Sequence, residues 1–202
     1  MILTAALGGG MARASEAVDP WAILDQLRSN LANESLRGEF VQTFRPAGFT
    51  TGDRETGSLF LALPECVRWD YDEPFAKTFL LCRETLHTWN RGEQAGRRFP
   101  LTGGDEPGID LLRLRLEELR LRYDAQVTRT EEDSLTVLLT PLDEANAIAE
   151  ANLHVDPKRR FLRGFSFRDR EGNVSQFEIS ELTAHSDPDV FVVPADLEWL
   201  DP

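Results

Sequence analysis

The sequence has no long apolar run and is short of basic residues. No stretch of eighteen or more apolar residues occurs in its 202 positions, so it predicts no membrane-spanning helix in the mature protein. With 22 Lys and Arg against 35 Asp and Glu, the net charge is −13, which argues against nucleic acid binding because a polyanion would be repelled. The length, with 41% hydrophobic and 28% charged residues, is typical of one globular domain.

Signatures of catalysis and metal binding are also missing. The histidines, His87, His154 and His185, are far apart in sequence, and no HxH or HxxxH spacing occurs. No GxSxG, Walker-type or GxGxxG motif is present. Carboxylates are plentiful, but nothing selects a catalytic pair among them. We therefore expect a binding protein rather than an enzyme, with no catalytic residues, no metal and no cofactor.

The N-terminus resembles the end of an export signal. Residues 1–10 form a short apolar run without a basic start, and Ala12-Arg13-Ala14 gives an A-x-A cleavage pattern before Ser15. We expect residues 1–14 to be a truncated signal peptide and residues 15–202 to be a single folded domain. The alternative is a frayed N-terminal tail.

The two cysteines, Cys66 and Cys82, flank a predicted hairpin whose turn lies near Pro74. A turn centred on Pro74 pairs residues whose numbers add to about 148 in this chain, namely Trp69 with Phe79, Val67 with Leu81 and Cys66 with Cys82. Opposed Cβ atoms in such a pair lie about 4.5–5.5 Å apart, which is near the reach of a disulfide. A register error of one residue would separate the sulfur atoms, so a disulfide and two free thiols both remain open.

Hydrophobic periodicity predicts one N-terminal helix followed by many strands. Trp21, Leu24, Leu27 and Leu31 have helical spacing within a predicted helix over 19–36. About ten strands follow, predicted at 38–45, 57–63, 67–71, 77–82, 85–91, 121–130, 134–140, 150–155, 161–168 and 174–183, with a possible edge strand at 190–193. Residues 91–108 are predicted to be a loop and residues 107–117 a short helix. Sequential strands with short turns indicate an antiparallel meander, which twist curls into a half-open barrel.

Several short motifs resemble, in their order and spacing, those of the periplasmic outer-membrane lipoprotein carrier family, LolA. They cover about residues 19–200, and they are Phe40-x-Gln42, Gly57-x-Leu59, Pro64, Trp69, Pro74, Thr85-Leu86, Pro107 with Leu111-Leu112, Leu139-Thr140-Pro141, Asp169-x-x-Gly172-Asn173, Phe177 and Phe191-x-x-Pro194. The resemblance implies an α+β fold: an incomplete antiparallel β-barrel, or half-barrel, whose N-terminal and short internal helices cover an apolar cavity.

The resemblance also implies a function. A LolA-like protein would be a monomeric periplasmic chaperone that holds the acyl chains of lipoproteins, receives them from an inner-membrane ABC transporter and passes them to an outer-membrane receptor. In this sequence the wall of the cavity would be formed by Leu59, Leu61, Leu63, Val67, Trp69, Phe79 and Leu81. It would be closed by Phe40, Phe44, Leu86, Leu111, Leu112 and Leu116. The alternative for each of these residues is an ordinary place in a protein core.

One position departs from the family pattern. An arginine commonly precedes the strand-breaking proline in this family and hydrogen-bonds the lid shut, whereas this chain has Leu63 before Pro64. Closure would then depend on apolar packing. A periplasmic lipid- or lipoprotein-sensing regulatory domain on the same half-barrel is the alternative function, and an enzyme built on this barrel is a third.

Overall fold

The computed structural model describes residues 18–101, 115–131, 134–159 and 161–201. Its strands are β1 (Leu36–Arg45), β2 (Asp53–Ala62), β3 (Cys66–Glu73), β4 (Lys77–Cys82), β5 (Thr85–Asn90), β6 (Ala95–Pro100), β7 (Tyr123–Glu131), β8 (Ser134–Pro141), β9 (Ile148–Val155), β10 (Leu162–Asp169), β11 (Val174–Ile179), β12 (Thr183–Ala184) and β13 (Glu198–Leu200). Its helices are α1 (Pro20–Ala32), α2 (Leu116–Arg122) and a 3₁₀ helix (Pro188–Phe191).

The thirteen described strands form one open sheet. Its order is β13-β6-β5-β4-β3-β2-β1-β11-β10-β9-β8-β7, and β12 pairs with β1 beside this path. Neighbouring strands are antiparallel except β13, which runs parallel to β6. The sheet does not close on itself, which agrees with the predicted incomplete barrel in strand direction and openness.

Helix α1 begins where the sequence predicts and ends earlier. The carboxylate of Asp19 caps it by accepting a hydrogen bond from the backbone N–H of Trp21 at 2.9 Å, and Pro20 occupies its first turn. The predicted end at residue 36 is wrong, because Leu36 already belongs to β1 and pairs with Leu61. Strand pairing therefore begins four residues after the helix ends at Ala32.

Residues 107–114 of the predicted internal helix lie outside the described residues. Its predicted last residues and the predicted strand start at 121 are corrected, because Arg115 is extended and α2 runs from Leu116 to Arg122. Glu118 accepts a hydrogen bond from the backbone N–H of Arg115 and so caps the helix start. Burial of Leu119 on the helical face favours the helix over the alternating pattern.

Two further sequence predictions are corrected near the sheet edge. Residues 95–100, expected in a loop, form β6, because β5 and β13 supply backbone partners on both sides. Residues 190–193, expected to be an edge strand, instead continue from a 3₁₀ helix whose first turn is capped by Asp187.

The register of the β3–β4 hairpin is confirmed. Trp69 pairs with Phe79 and Val67 with Leu81, as a turn centred on Pro74 requires. Cys66 faces Cys82 in the same register, and the two are joined by a disulfide with an S–S distance of 2.08 Å.

The C-terminal segment, residues 183–201, crosses the face of the sheet that carries Arg68, His87 and Trp89, which we call the outer face. We call this segment the C-terminal strap. The Arg68 guanidinium donates to the Val190 carbonyl at 2.5 Å. The Trp199 ring lies edge-on to His87 and Trp89, with centroids 4.9 and 5.8 Å away. The strap therefore joins β12, in the middle of the sheet, to β13 at its edge.

None of the helices in the described parts of the chain is long and apolar enough to cross a bilayer.

Candidate functional site

Alternation along the central strands gives the sheet one apolar face, which we call the inner face. Register pairs Leu59 with Trp69 and Leu61 with Val67, so these four side chains point to the same side as Phe40 on β1. All five are buried, and Leu59, Leu61 and Val67 have no exposed surface. The predicted wall residues of β2 and β3 are thus brought together with Phe40, which was predicted to help close the cavity.

Helix α1 lies over the inner face. Its apolar side chains recur at helical spacing and are at most 2% exposed: Ile23, Leu24, Leu27 and Leu31. They belong to one continuous buried cluster with the inner face. The structure therefore does not confirm an open apolar cavity at this place, because α1 side chains occupy the space over the wall.

The remaining predicted residues lie around this cluster. Leu81 on β4 and Leu86 on β5 are buried, whereas Leu63, Phe79 and Leu116 are partly buried and pack against the cluster. Phe44, at the end of β1, is 38% exposed. Leu111 and Leu112 lie outside the described residues.

A polar group formed by Gln42, Glu55, Tyr71 and Lys77, which the sequence analysis did not bring together, interrupts the inner face near the end of β1. The Tyr71 hydroxyl donates to Gln42 Oε1, and Lys77 Nζ lies 2.6 Å from Glu55 Oε1 and 4.6 Å from the centroid of the Tyr71 ring. Burial, with the Glu55 carboxylate adding to it, raises the pKa of Tyr71 well above its usual range, so the hydroxyl stays a donor. By strand alternation, Gln42 lies on the same face as Phe40 and Lys77 on the same face as Phe79. This pattern could have predicted the polar group from the sequence.

Next to this polar group is a cavity of about 350 Å³. Its lining comes from β4, β5 and β6 and from the end of the strap: Lys77, Thr78, Phe79, Thr88, Trp89, Asn90, Glu93, Ala95, Gly96, Arg97 and Leu200. The lining combines hydrogen-bonding side chains with two cations and one carboxylate, so the cavity suits a polar ligand better than a hydrocarbon.

A larger cleft of about 850 Å³ opens where β10 and β11 diverge. The two strands pair only from Gly164 onward, while the other edge of β11 stays paired with β1 and Ser180 bonds Glu39 there. The floor is formed by buried members of the core cluster: Leu162, Ile179 and Leu182, with Phe161 beside them. Such a volume is in the range of small-molecule sites, and its apolar floor adjoins the cluster that includes the inner face.

Ion pairs stand at the mouth of this cleft. Arg159 lies 2.5 Å from Glu181, and Arg163 lies 2.7 Å from Asp156. Hydrogen bonds from the Arg159 backbone N–H and the Arg163 guanidinium lower the pKa of Asp156 to about 2. Asp156 therefore remains charged at any physiological pH and helps to hold the 156–159 turn in place.

The described residues contain no group of three His, Cys, Asp or Glu side chains that could hold a metal ion. His87 and His185 each have a buried ring nitrogen without a hydrogen-bond partner in the structure, and each packs against an aromatic ring of the outer face or strap. These two histidines thus lie on the outer side of the sheet, away from the apolar wall.

Comparison with known protein families gives one match. The model of the family described as outer membrane lipoprotein carrier protein LolA matches residues 32–193. No curated protein matches this chain.

Solved structures are similar in fold at low sequence identity. An uncharacterised conserved protein from Thermus thermophilus aligns with a TM-score of 0.57 at 12% identity, covering 90% of this chain and 98% of that one. The complex structure of Pseudomonas aeruginosa MucA/MucB aligns with a TM-score of 0.52 at 14% identity; the alignment covers 90% of this chain and 63% of that one. A LolA superfamily protein from Nitrosomonas europaea has a TM-score of 0.49 at 15% identity, covering 88% of this chain and 99% of that one.

Proposed function

Because this chain belongs to the outer membrane lipoprotein carrier protein family, LolA, we propose that it binds the acyl chains of lipoproteins in the periplasm and shuttles them from the inner to the outer membrane. The observation that supports this proposal is the apolar inner face under α1, in which helix and sheet bury each other. The described structure is then the empty, closed state.

Binding in this proposal requires α1 to leave the wall. The acyl chains would replace the α1 side chains on the inner face, contacting Phe40, Leu59, Leu61, Val67 and Trp69, and would extend toward Leu63, Phe79, Leu81 and Leu86. Leu116 on α2, Leu111 and Leu112 outside the described residues, and Phe44 at the end of β1 would complete the contact.

The energies of the two states are comparable, as reversible carriage requires. Burying the four aliphatic side chains of α1 stabilises the closed state by about 6–12 kcal/mol as an upper estimate. Burying an acyl chain contributes about 0.8 kcal/mol per CH₂, so roughly 8–15 methylene groups offset the loss of α1 packing. About one ordinary acyl chain therefore offsets the loss of α1 packing, and each further chain would make binding tighter.

At Leu63 the lid contact is apolar. Leu63 packs against the buried cluster, where a family member with arginine would hold its lid by hydrogen bonds. Closure at this position therefore depends on apolar packing, which constrains the orientation of the lid less than hydrogen bonds would.

The proposed partners follow from the family. The carrier would act as a monomer without catalysis, accept lipoproteins from an inner-membrane ABC transporter and pass them to an outer-membrane receptor. The alternative is a lipid- or lipoprotein-sensing regulatory domain, which the fold likeness to a MucA/MucB complex favours. A carrier releases its cargo, whereas a sensor keeps a stable protein partner.

Native mass spectrometry of the protein purified from the periplasm in gentle detergent distinguishes these functions. Co-purification of acylated proteins is expected for the carrier. A single stable partner without acyl groups would favour the sensor and contradict the carrier.

Fluorescence locates the acyl chain. A brominated fatty acid should quench Trp69, which lies on the wall, and the Trp69→Phe variant should lose most of this quenching. Trp89→Phe is the matched control, because Trp89 lies on the outer face under the strap. Equal quenching of both variants would contradict binding on the inner face.

A further inference from the structure

Large exposed apolar side chains are concentrated at one end of the sheet. Strands β1, β3, β8 and β10 end there, and β2, β4, β7, β9 and β11 begin there. Five of the eight large apolar side chains that are exposed among the described residues lie at this end: Phe44, Phe49, Phe75, Leu121 and Leu142. We call this set the apolar rim.

The opposite end of the sheet differs. Its described turns, at 63–65, 83–84 and 156–159, contain none of the large exposed apolar side chains found in the described residues. The other three exposed ones are Val18, before α1, and Val192 and Leu200, on the strap. The concentration at one end is thus a property of the rim turns and not of the surface in general.

The apolar rim has two parts. Phe49 and Phe75 lie in the β1–β2 and β3–β4 turns, which are neighbours along the rim because β2 pairs with β3. Leu121 and Leu142 lie together on the other side, where the Leu142 backbone N–H donates to the Arg122 carbonyl at 2.8 Å. All four are at least 61% exposed, with Phe75 at 74% and Leu121 at 79%. The polar β10–β11 turn separates the two parts.

Each protruding group is accompanied by cations. Arg45 and Arg54 are exposed on either side of the Phe49 turn, and neither makes an ion pair with the described part of the chain. Arg91 reaches the turn of Phe75 by pairing with Asp72.

The other part of the rim also has arginines beside it. Arg120 and Arg122 flank Leu121 in sequence. The guanidinium of Arg170 donates to carbonyls of the turn that contains Leu142. Aromatic and aliphatic tips with neighbouring Arg and Lys are the composition of a membrane-interface contact, in which the tips enter the acyl boundary and the cations meet lipid phosphates.

We propose that the apolar rim docks this protein on a phospholipid bilayer, with Phe49 and Phe75 as the inserted side chains. Because the rim also carries carboxylates, among them Asp53, Asp72 and Glu73, and the chain has a net charge of −13, a zwitterionic surface is the preferred partner. Repulsion weakens the contact with strongly anionic lipid. The purpose of docking, which would bring the carrier to the membranes that hold its transporter and receptor, rests on the proposed function; the docking itself does not.

The test is partition onto phosphatidylcholine vesicles, measured by co-sedimentation of the full chain without cargo. The wild type is expected to bind, and Phe49→Ser and Phe75→Ser are each expected to weaken partition by about tenfold. Val192→Ser is the matched control, since Val192 is 60% exposed on the strap, away from the rim. Its partition should equal that of the wild type.

Two results would overturn the proposal. One is a wild type that stays in the supernatant, as expected if the rim contacts only proteins. The other is equal partition of the wild type and both phenylalanine variants. Uptake of a fluorescent fatty acid in the absence of vesicles should be unchanged in Phe49→Ser and Phe75→Ser, so a failure of docking and a failure of acyl-chain binding are read separately.

Discussion

The indole ring of Trp199 packs against Gly96 so closely that a Cβ atom at position 96 would overlap it. This contact fixes β13 beside β6 and so anchors the end of the C-terminal strap.

Gly96→Ala should therefore lower the free energy of unfolding by about 1–3 kcal/mol through overpacking. Chemical denaturation measures the change. The same substitution in a Trp199→Ala background should cost less, and equal costs in the two backgrounds would contradict the contact.

Stability should fall as the pH drops below neutrality. Burial, reinforced by Arg98, lowers the pKa of His87 below 6.5, and burial does the same for His154. Both histidines therefore bind protons more readily in the unfolded chain, so their contribution to stability is complete above about pH 6.5 and is lost as the pH falls toward their folded-state pKa values.

Urea midpoints at pH 7.5 and 5.5 test this dependence. His87→Phe should reduce the difference between the two midpoints. A difference as large as that of the wild type would show that His87 does not contribute.

The closed lid should compete with the ligand. Leu27 on α1 is 2% exposed, so Leu27→Ala should destabilise the empty protein by about 2–5 kcal/mol. The same change should raise the affinity for a fluorescent fatty acid, because less α1 packing has to be broken. Leu121→Ala, on the exposed side of α2, should change neither quantity by much. Loss of affinity in Leu27→Ala would argue that the cluster is only a core.

A charged lid contact can be introduced at Leu63. Leu63→Arg should favour the closed empty state and slow the uptake of a fluorescent fatty acid severalfold, as measured by stopped flow. Leu63→Met conserves volume and apolar character and should behave like the wild type. Unchanged uptake in Leu63→Arg would count against a lid contact at this position.

The disulfide should contribute measurably to stability. Cys66 and Cys82 are 16 residues apart, and closing a loop of this length stabilises by about 3 kcal/mol in the chain-entropy model. Cys66→Ala with Cys82→Ala should lower the free energy of unfolding by a comparable amount, and the reduced wild type should match the double variant. No difference between oxidised and reduced protein would contradict this expectation.

Local patterns predicted the parts of the fold that local physics determines. The spacing of Leu24, Leu27 and Leu31 with the Asp19 cap gave α1, and a turn at Pro74 gave the register of β3 against β4. Strand β6 could not be predicted, because residues 95–100 (AGRRFP) lack apolar alternation and owe their conformation to β5 and β13 on either side.

The sequence predicted which residues form the candidate site, but it did not predict whether that site is open or covered. Alternation assigned Leu59, Leu61, Val67 and Trp69 to one face, and the register brings them together. Whether that face is open or covered depends on where α1 lies, which alternation within a strand does not encode. The 850 Å³ cleft depends on the point before Gly164 at which β10 and β11 stop pairing, which is a long-range property that the sequence of neither strand encodes.

The strap also affects which side of the molecule is free to move. It crosses from β12 to β13 over the outer face and is tied down at Arg68, Trp199 and Arg98, the last through its pair with Asp201. If an acyl chain enters as proposed, the braced sheet would keep its shape, and the helical side would have to move to make room.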